Sequence, residues 1–397
     1  MSYLSRFLFF SFLLLASVSI STADDPNRLI NLKVEEFTLQ NGMMFLVVER
    51  HAMPQVACRL AIRAGSALET NGKSGIAHML EHLMFKGTKN LGTLDFQKDQ
   101  ELQEEIEEAY QTVLSEQLKR YPDWALIRSM LKRMEELRLE VQKIYVPQAF
   151  SSQLGRNGAV GVNAFTNKDE TQYVMSVPSD MIEQWFSIVS EQIFEPAWRE
   201  FYVEKEVVQR EWDFRYVNNP EGAGWVDLHA TAYTAHPYRN PTIGWKSDME
   251  RFNTRDAIEF HKAFYNPTNA VCVLVGDVTV AKAKEFAQIY FGRYPAGQRA
   301  PETVTREPAQ QGPRKTVRFL QGARKPNVLI GFHTAPMATK DFFALDVATM
   351  ILSQGRGARL TQEIANKGLA VEAWAYTLII DMEACLSWGD LQMNLRE

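Results

Sequence analysis

The stretch Ser74-Gly-Ile-Ala-His78-Met-Leu-Glu81-His82-Leu-Met-Phe-Lys86-Gly87 decides how the rest of the chain is read. Ser74 offers an N-cap, Lys86 a last-turn cation and Gly87 a C′ residue, so the segment between them reads as one short helix. An α-helix advances about 100° per residue, which puts His78 and His82 about 40° apart around the axis. Glu81 falls about 60° to the other side of His78. Both imidazoles can therefore reach one ion, and the carboxylate can contact a water beside it. The helix is otherwise apolar, through Ile76, Met79, Leu80, Leu83 and Phe85, and polar groups on such a helix need partners. The chain has seven histidines, and two of them stand here. The bland alternative is two surface histidines beside a salt bridge.

The order H-x-x-E-H inverts the commoner zincin motif. A catalytic zinc commonly takes three protein donors and one water, and two histidines with one carboxylate are a known set. The third donor must come from elsewhere. Glu204-Lys-Glu-Val-Val-Gln-Arg-Glu211 is the best candidate segment, because a spacing of seven returns Glu204 and Glu211 to within about 20° of one helical face. On spacing alone, a solvated acidic stripe is the better account of that pair.

Upstream, residues 1–23 read as a secretory signal peptide. Arg6 precedes an apolar run from Phe7 to Ile20, and Ser21-Thr22-Ala23 supplies small residues for cleavage. The run is too short and wrongly flanked for a comfortable membrane span. The expectation is an exported chain, periplasmic or secreted, with no membrane association once the signal is removed. Losing Arg6 takes the formal charge from −5 to about −6, a mild acidity that gives no reason to invoke nucleic acid or an anionic surface. Cys58, Cys272 and Cys385 are few and far apart; Cys58 and Cys272 lie in strand-like runs and read as buried free thiols.

From Val34 the pattern is β-rich, with a hairpin turn at Asn41-Gly42 and a strand from Gln55 to Ala64. Ile127, Met130, Met134, Leu137, Val141 and Ile144 repeat at spacings of three and four, and Leu102, Ile106, Ala109 and Val113 keep the same rhythm. Tyr121-Pro122-Asp123 separates the two runs, so residues 95–147 read as an antiparallel helical hairpin. Its charged flanks are read as solvated, and the hairpin as an accessory outside the catalytic core. A strand-like stretch from Val160 to Val177 follows, then helical stretches at Ile182–Ile193 and Trp198–Tyr216. A strand at Ala270–Val275 and a helix from Val280 lead to a Pro-rich linker over 295–313. Beyond it, Lys315–Phe319, Asn327–His333 and Trp388–Leu395 look like strands and Phe342–Leu352 like a helix.

H-x-x-E-H followed by E-x-E-V-V-x-x-E resembles the pitrilysin/insulinase family of inverzincin metallopeptidases, which includes the mitochondrial processing peptidase. Further matches run in register: Leu39-Gln-Asn-Gly42, Arg63-Ala-Gly-Ser66, Asn163-Ala164-Phe-Thr166, Pro220, Gly244 and Tyr265-Asn-Pro-Thr-Asn269 before Gly276-Asp277. The resemblance implies an α+β fold of two homologous insulinase-like α/β domains. The first spans 24–294 with the hairpin inserted; the second, 314–397, is incomplete. It also implies a zinc-dependent endopeptidase subunit with one Zn2+ per chain. His78, His82 and Glu211 then correspond to the metal ligands, Glu81 to the general base, and Glu204 to a supporting carboxylate. Asn163 and Ala164 match the strand edge on which the family lays an extended peptide.

One departure bears on partners. Where the family carries an arginine and a tyrosine in its second domain, this sequence has Ala365 and Val371. The resemblance therefore implies a homologous subunit that supplies the missing pair. The alternative is a non-catalytic, core-type scaffold subunit of an oligomeric complex.

Overall fold

The computed structural model describes residues 32–298, 304–319, 326–337, 339–377 and 385–392, with the last segment described in its backbone alone. The expected signal peptide lies outside these residues, as do the centre of the linker and the side chain of Cys385.

The architecture is α+β, as expected. Strands β1 (Glu35–Thr38), β2 (Met44–Glu49), β3 (Gln55–Ile62), β4 (Val160–Thr166), β5 (Thr171–Pro178) and β6 (Ala270–Gly276) form one sheet in the order β1-β2-β6-β3-β5-β4. The stretch read as a single strand from Val160 to Val177 is two, β4 and β5, paired antiparallel about the turn at 167–170. Polar Asn167-Lys-Asp-Glu170 is the turn signal. Along β3, Val56, Cys58, Leu60 and Ile62 are buried while Ala57 and Arg59 are exposed, the period-two signature of a sheet covered on one face.

The covering face is built from α1 (Ile76–Leu83), α5 (Ile182–Phe194), α6 (Phe201–Trp212), α9 (Thr254–Phe264) and α10 (Val280–Phe286). The core includes Phe45, Trp185, Phe186 and Phe291 with their rings in contact. Each buries enough apolar area for roughly 1.5–3 kcal/mol or more. Cys58 and Cys272 are free and buried in adjoining strands, as expected.

The hairpin is present as α2 (Phe96–Gln117) and α3 (Trp124–Ile144), N-capped by Asp95 and Asp123, and is followed by α4 (Ala149–Arg156). Leu102, Ile106, Leu137 and Val141 close its seam. Its description as an accessory with solvated flanks needs correction. Asp99 forms a buried ion pair with Arg199, and Glu107 accepts from the Tyr202 hydroxyl (2.6 Å) and the Thr254 amide (3.0 Å). Tyr110 donates to the Glu250 carbonyl (2.9 Å) and also takes a hydrogen bond from Lys205. Tyr202 and Lys205 lie on α6, so α2 is bolted to the helix that carries Glu204 and Glu211. Hydrophobic periodicity shows the seam between α2 and α3; this second buried stripe is polar, and periodicity misses it.

Helix α7 (Pro220–Ala232) and the short α8 (Lys246–Met249) complete the first region. Its remaining feature of note is a backbone contact. Gly75 and Gly244 both have left-handed φ (97° and 92°) and lie so close that a Cβ on Gly75 would meet the Ile243 carbonyl oxygen at 2.1 Å.

The second region holds β7 (Val328–Thr334), β8 (Glu372–Thr377), β9 (Cys385–Gln392) and α11 (Lys340–Ser353), with sheet order β7-β9-β8. The strand expected at Lys315–Phe319 is absent; those residues run without a pairing partner among the described strands. In the linker, the Glu307 carboxylate accepts from the Thr234, Ala235 and His236 amides at 2.8–3.0 Å, which clasps this connection to the end of α7.

Candidate metal centre

Helix α1 is short and almost wholly buried, so its orientation is set by the core on most sides. Its N-terminus is not capped by Ser74, whose hydroxyl instead donates to Asp248 (2.6 Å). Glu69 does the capping. Its carboxylate accepts from the Gly75 amide (2.8 Å) and the Ala77 amide (2.9 Å), where a helix start favours negative charge.

On this fixed helix, His78, His82 and Glu211 bring one donor atom each to within 4.8 Å of one another. Glu211 Oε2 lies 3.8 Å from His78 Nε2 and 3.4 Å from His82 Nε2. Donors about 2 Å from a tetrahedral zinc stand about 3.3 Å apart, so small adjustments suffice for this set. Glu204 Oε2 contacts His82 Nδ1 at 3.2 Å, on the far side of the ring from Glu211. This leaves His82 Nε2 facing the cluster, the orientation in which an outer carboxylate steadies a ligand imidazole. His78 Nδ1 is buried without a hydrogen-bond partner among the described residues, while Nε2 faces Glu211.

Electrostatics follow this geometry. Burial pushes His78 down to about 3, keeping it neutral, the form in which imidazole binds a metal. Burial also works against charge on His82, but Glu204 and Glu211 outweigh it and lift the ring to about 9. For Glu211, burial opposes the charge, yet His82, His78 and Arg215 hold the carboxyl at about 2. Burial raises Glu81, and the Thr166 hydroxyl, donating to Glu81 Oε2 at 2.6 Å, partly counters it. Lys86 Nζ lies 2.5 Å from Glu204 Oε1 and 3.2 Å from Glu200 Oε2. Burial disfavours charge on Glu204, but His82 and Lys86 hold its carboxyl below the usual range.

Asn163 and Ala164 sit on β4, the last strand of the sheet, paired with Val174 and Tyr173 of β5. The other edge of β4 has no partner among the described strands. The uncovered sheet face beside it holds a cavity of about 480 Å³ lined by Ala57, Arg59, Val160, Val174 and Val273 among others. Ala365 is partly buried in a wide turn after α11, and Val371 is exposed just before β8. Sequence reading missed Glu69, the contact of Thr166 with Glu81, and Arg215. Only Arg215 carried a usable signal, its spacing of four from Glu211.

A model described as Insulinase (Peptidase family M16) matches residues 45–116 and 142–246, and one described as Peptidase M16 inactive domain matches 251–383. The chain belongs to the insulinase family. Among curated members, it is 28% identical over 358 residues to the zinc protease PqqE of Helicobacter pylori, covering 89% of this chain and 68% of that protein. It is 26% identical over 263 residues to a probable mitochondrial-processing peptidase subunit beta of Schizosaccharomyces pombe, covering 66% of this chain and 45% of that one. Among solved structures, a protease from Helicobacter pylori superposes with a TM-score of 0.73 at 27% identity, over 91% of this chain and 76% of that one. The peptidase M16 inactive domain from Pseudomonas fluorescens shares the fold with a TM-score of 0.69 at 18% identity, over 91% and 74%. Insulinase-family relatives thus match both regions of the chain and share its two-domain fold.

Proposed function

We propose that this chain is the zinc-bearing subunit of an exported metalloendopeptidase that cleaves peptides or unfolded segments. The observation that carries the reading is the convergence of His78 Nε2, His82 Nε2 and Glu211 Oε2, with Glu81 close enough to His82 and Glu211 to feel their charges. These three would hold one Zn2+, with Glu204 orienting His82. A zinc ion there would supply a Lewis acid that polarises a peptide carbonyl and acidifies a water. Glu81 would accept a proton from the attacking water as its oxygen bonds to the carbonyl carbon, and would return it to the amine nitrogen as the C–N bond breaks. Thr166 keeps the Glu81 carboxylate aimed while it does so. The free edge of β4 at Asn163 and Ala164 pairs with an extended peptide backbone, and the open sheet face beside it receives side chains.

Export, to the periplasm or beyond, rests on the apolar run behind Arg6 and the small residues that follow it. Completion by a homologous subunit rests on Ala365 and Val371, which cannot donate side-chain hydrogen bonds, and on similarity to a mitochondrial-processing peptidase subunit. The same two residues favour the second reading, a non-catalytic scaffold subunit. Zinc content measured alongside cleavage of a flexible peptide separates them. The peptidase reading expects one zinc per chain, slow cleavage alone, and cleavage faster by orders of magnitude with the partner subunit. Absence of both zinc and cleavage in the paired complex would establish the scaffold.

A further inference from the structure

Glu211 divides its two carboxylate oxygens between different partners. Oε2 faces the two histidine Nε2 atoms, whereas Oε1 lies 2.6 Å from Arg215 Nη2. Among the described residues, the ion-pair partners of Glu211 are His78, His82 and Arg215. Arg215 stands in a π-turn, Asp213–Val217, that widens the end of α6 immediately beyond Glu211, a distortion frequent at functional sites. Its side chain is 54% exposed, so the core has no packing use for it; its ordered contact is the one to Glu211. The other nearby cations are engaged elsewhere, Lys86 with Glu204 and Glu200 and Lys246 with Asp213.

We infer that Arg215 is a positioning residue that occupies Glu211 Oε1 and so restricts Glu211 to one-oxygen coordination of the metal. The inference rests on the metal-site reading above. Two imidazole nitrogens and one carboxylate oxygen make three protein donors and leave the fourth tetrahedral place for water. A Glu211 freed of Arg215 can turn both oxygens inward, which fills that place or crowds it. The planar guanidinium suits the role because its N–H direction is fixed, whereas a lysine ammonium would bring charge without a fixed fork.

The test is metal binding and spectroscopy on the full chain, which does not depend on turnover. Zinc affinity is measured by competition with a chromophoric chelator, and the visible absorption of the Co(II)-substituted protein reports coordination number. Arg215→Met is expected to dim the intense bands of four-coordinate Co(II), as a second Glu211 oxygen turns inward, and to move zinc affinity about 10- to 100-fold from the wild-type value. Arg215→Lys should bring the affinity part of the way back but leave the bands dim. Arg210→Met, which removes an exposed arginine whose ion-pair partner among the described residues is Glu206, should match wild type in both readouts. Wild-type affinity and spectrum in Arg215→Met would overturn the inference, as would full recovery of the spectrum by Arg215→Lys, which would reduce the role to net charge. If the wild-type chain binds neither metal, the metal-site reading fails and this inference goes with it.

Discussion

Helices α1 and α6 each contribute to the same cluster but are secured by different mixtures of apolar and polar contact. Helix α1 is buried from Ile76 to Leu80, is capped by Glu69 and meets Gly244 backbone to backbone. Helix α6 has exposed residues at Glu206 and Arg210 and is held by polar contacts: Arg199, just ahead of it, with Asp99, Tyr202 with Glu107, and Lys205 with Tyr110. The histidines therefore sit on a helix held almost wholly by burial, while the carboxylates sit on one that enters the core through Phe201 and Val208 and is tied to the hairpin by polar contacts as well. Burial fixes geometry through many weak contacts at once, whereas an ion pair can be broken by one substitution.

That contrast can be broken most severely at the ligands. His82→Ala and Glu211→Ala should each abolish stoichiometric zinc, measured by metal analysis after dialysis. Stoichiometric zinc in Glu211→Ala would move the third ligand to Glu204. Next, Glu81→Gln should retain zinc and lose turnover by about 100- to 10,000-fold, since the base alone is removed. Loss of zinc in that variant would mean that Glu81 supports the metal.

Asp99→Ala leaves Arg199 buried without its carboxylate and should cost roughly 3–5 kcal/mol in urea denaturation. Glu105→Ala, which breaks an exposed hairpin pair with Arg133, should cost no more than about 0.5 kcal/mol. Equal effects would mean that the hairpin is not bolted to α6 as described. The smallest effect is in pH dependence. Burial lowers Lys205 from 10.5 to about 8. Between those values the unfolded chain holds a proton that the folded chain has released, so this group makes stability rise as pH climbs from about 8 to about 10.5. Lys205→Met should flatten that rise; an unchanged slope would show that the ammonium titrates normally.

The legible and illegible parts of the chain divide along the same line. The H-x-x-E-H helix, the hairpin seam, β6 and the Asn41-Gly42 turn were readable because each is written in local spacing or apolar rhythm. The pairing of Glu211 with His78 and His82 spans more than 120 residues, and spacing alone favoured a solvated stripe; family resemblance supplied it. Glu69 as cap was unreadable because Ser74 is the better local candidate, and tertiary contact with Asp248 takes Ser74 away. The roles of Asp99, Glu107 and Lys205 were hidden because charged residues on a long helix default to solvent. The partition of residues 24–294, 295–313 and 314–397 into domain, linker and second domain remains a proposal, with the Glu307 clasp as its most concrete structural element.

The contact between Gly75 and Gly244 limits how this site can be redesigned or can drift. A side chain at Gly75 would run into the Ile243 carbonyl and one at Gly244 into the Ser74 carbonyl, so no change of side chain elsewhere makes room for either. Exposed positions of α6 such as Glu206 and Arg210 meet no such barrier and can change one at a time. Variation in metal affinity should therefore accumulate on the Glu211 side, while the start of the histidine helix stays as it is or is lost outright.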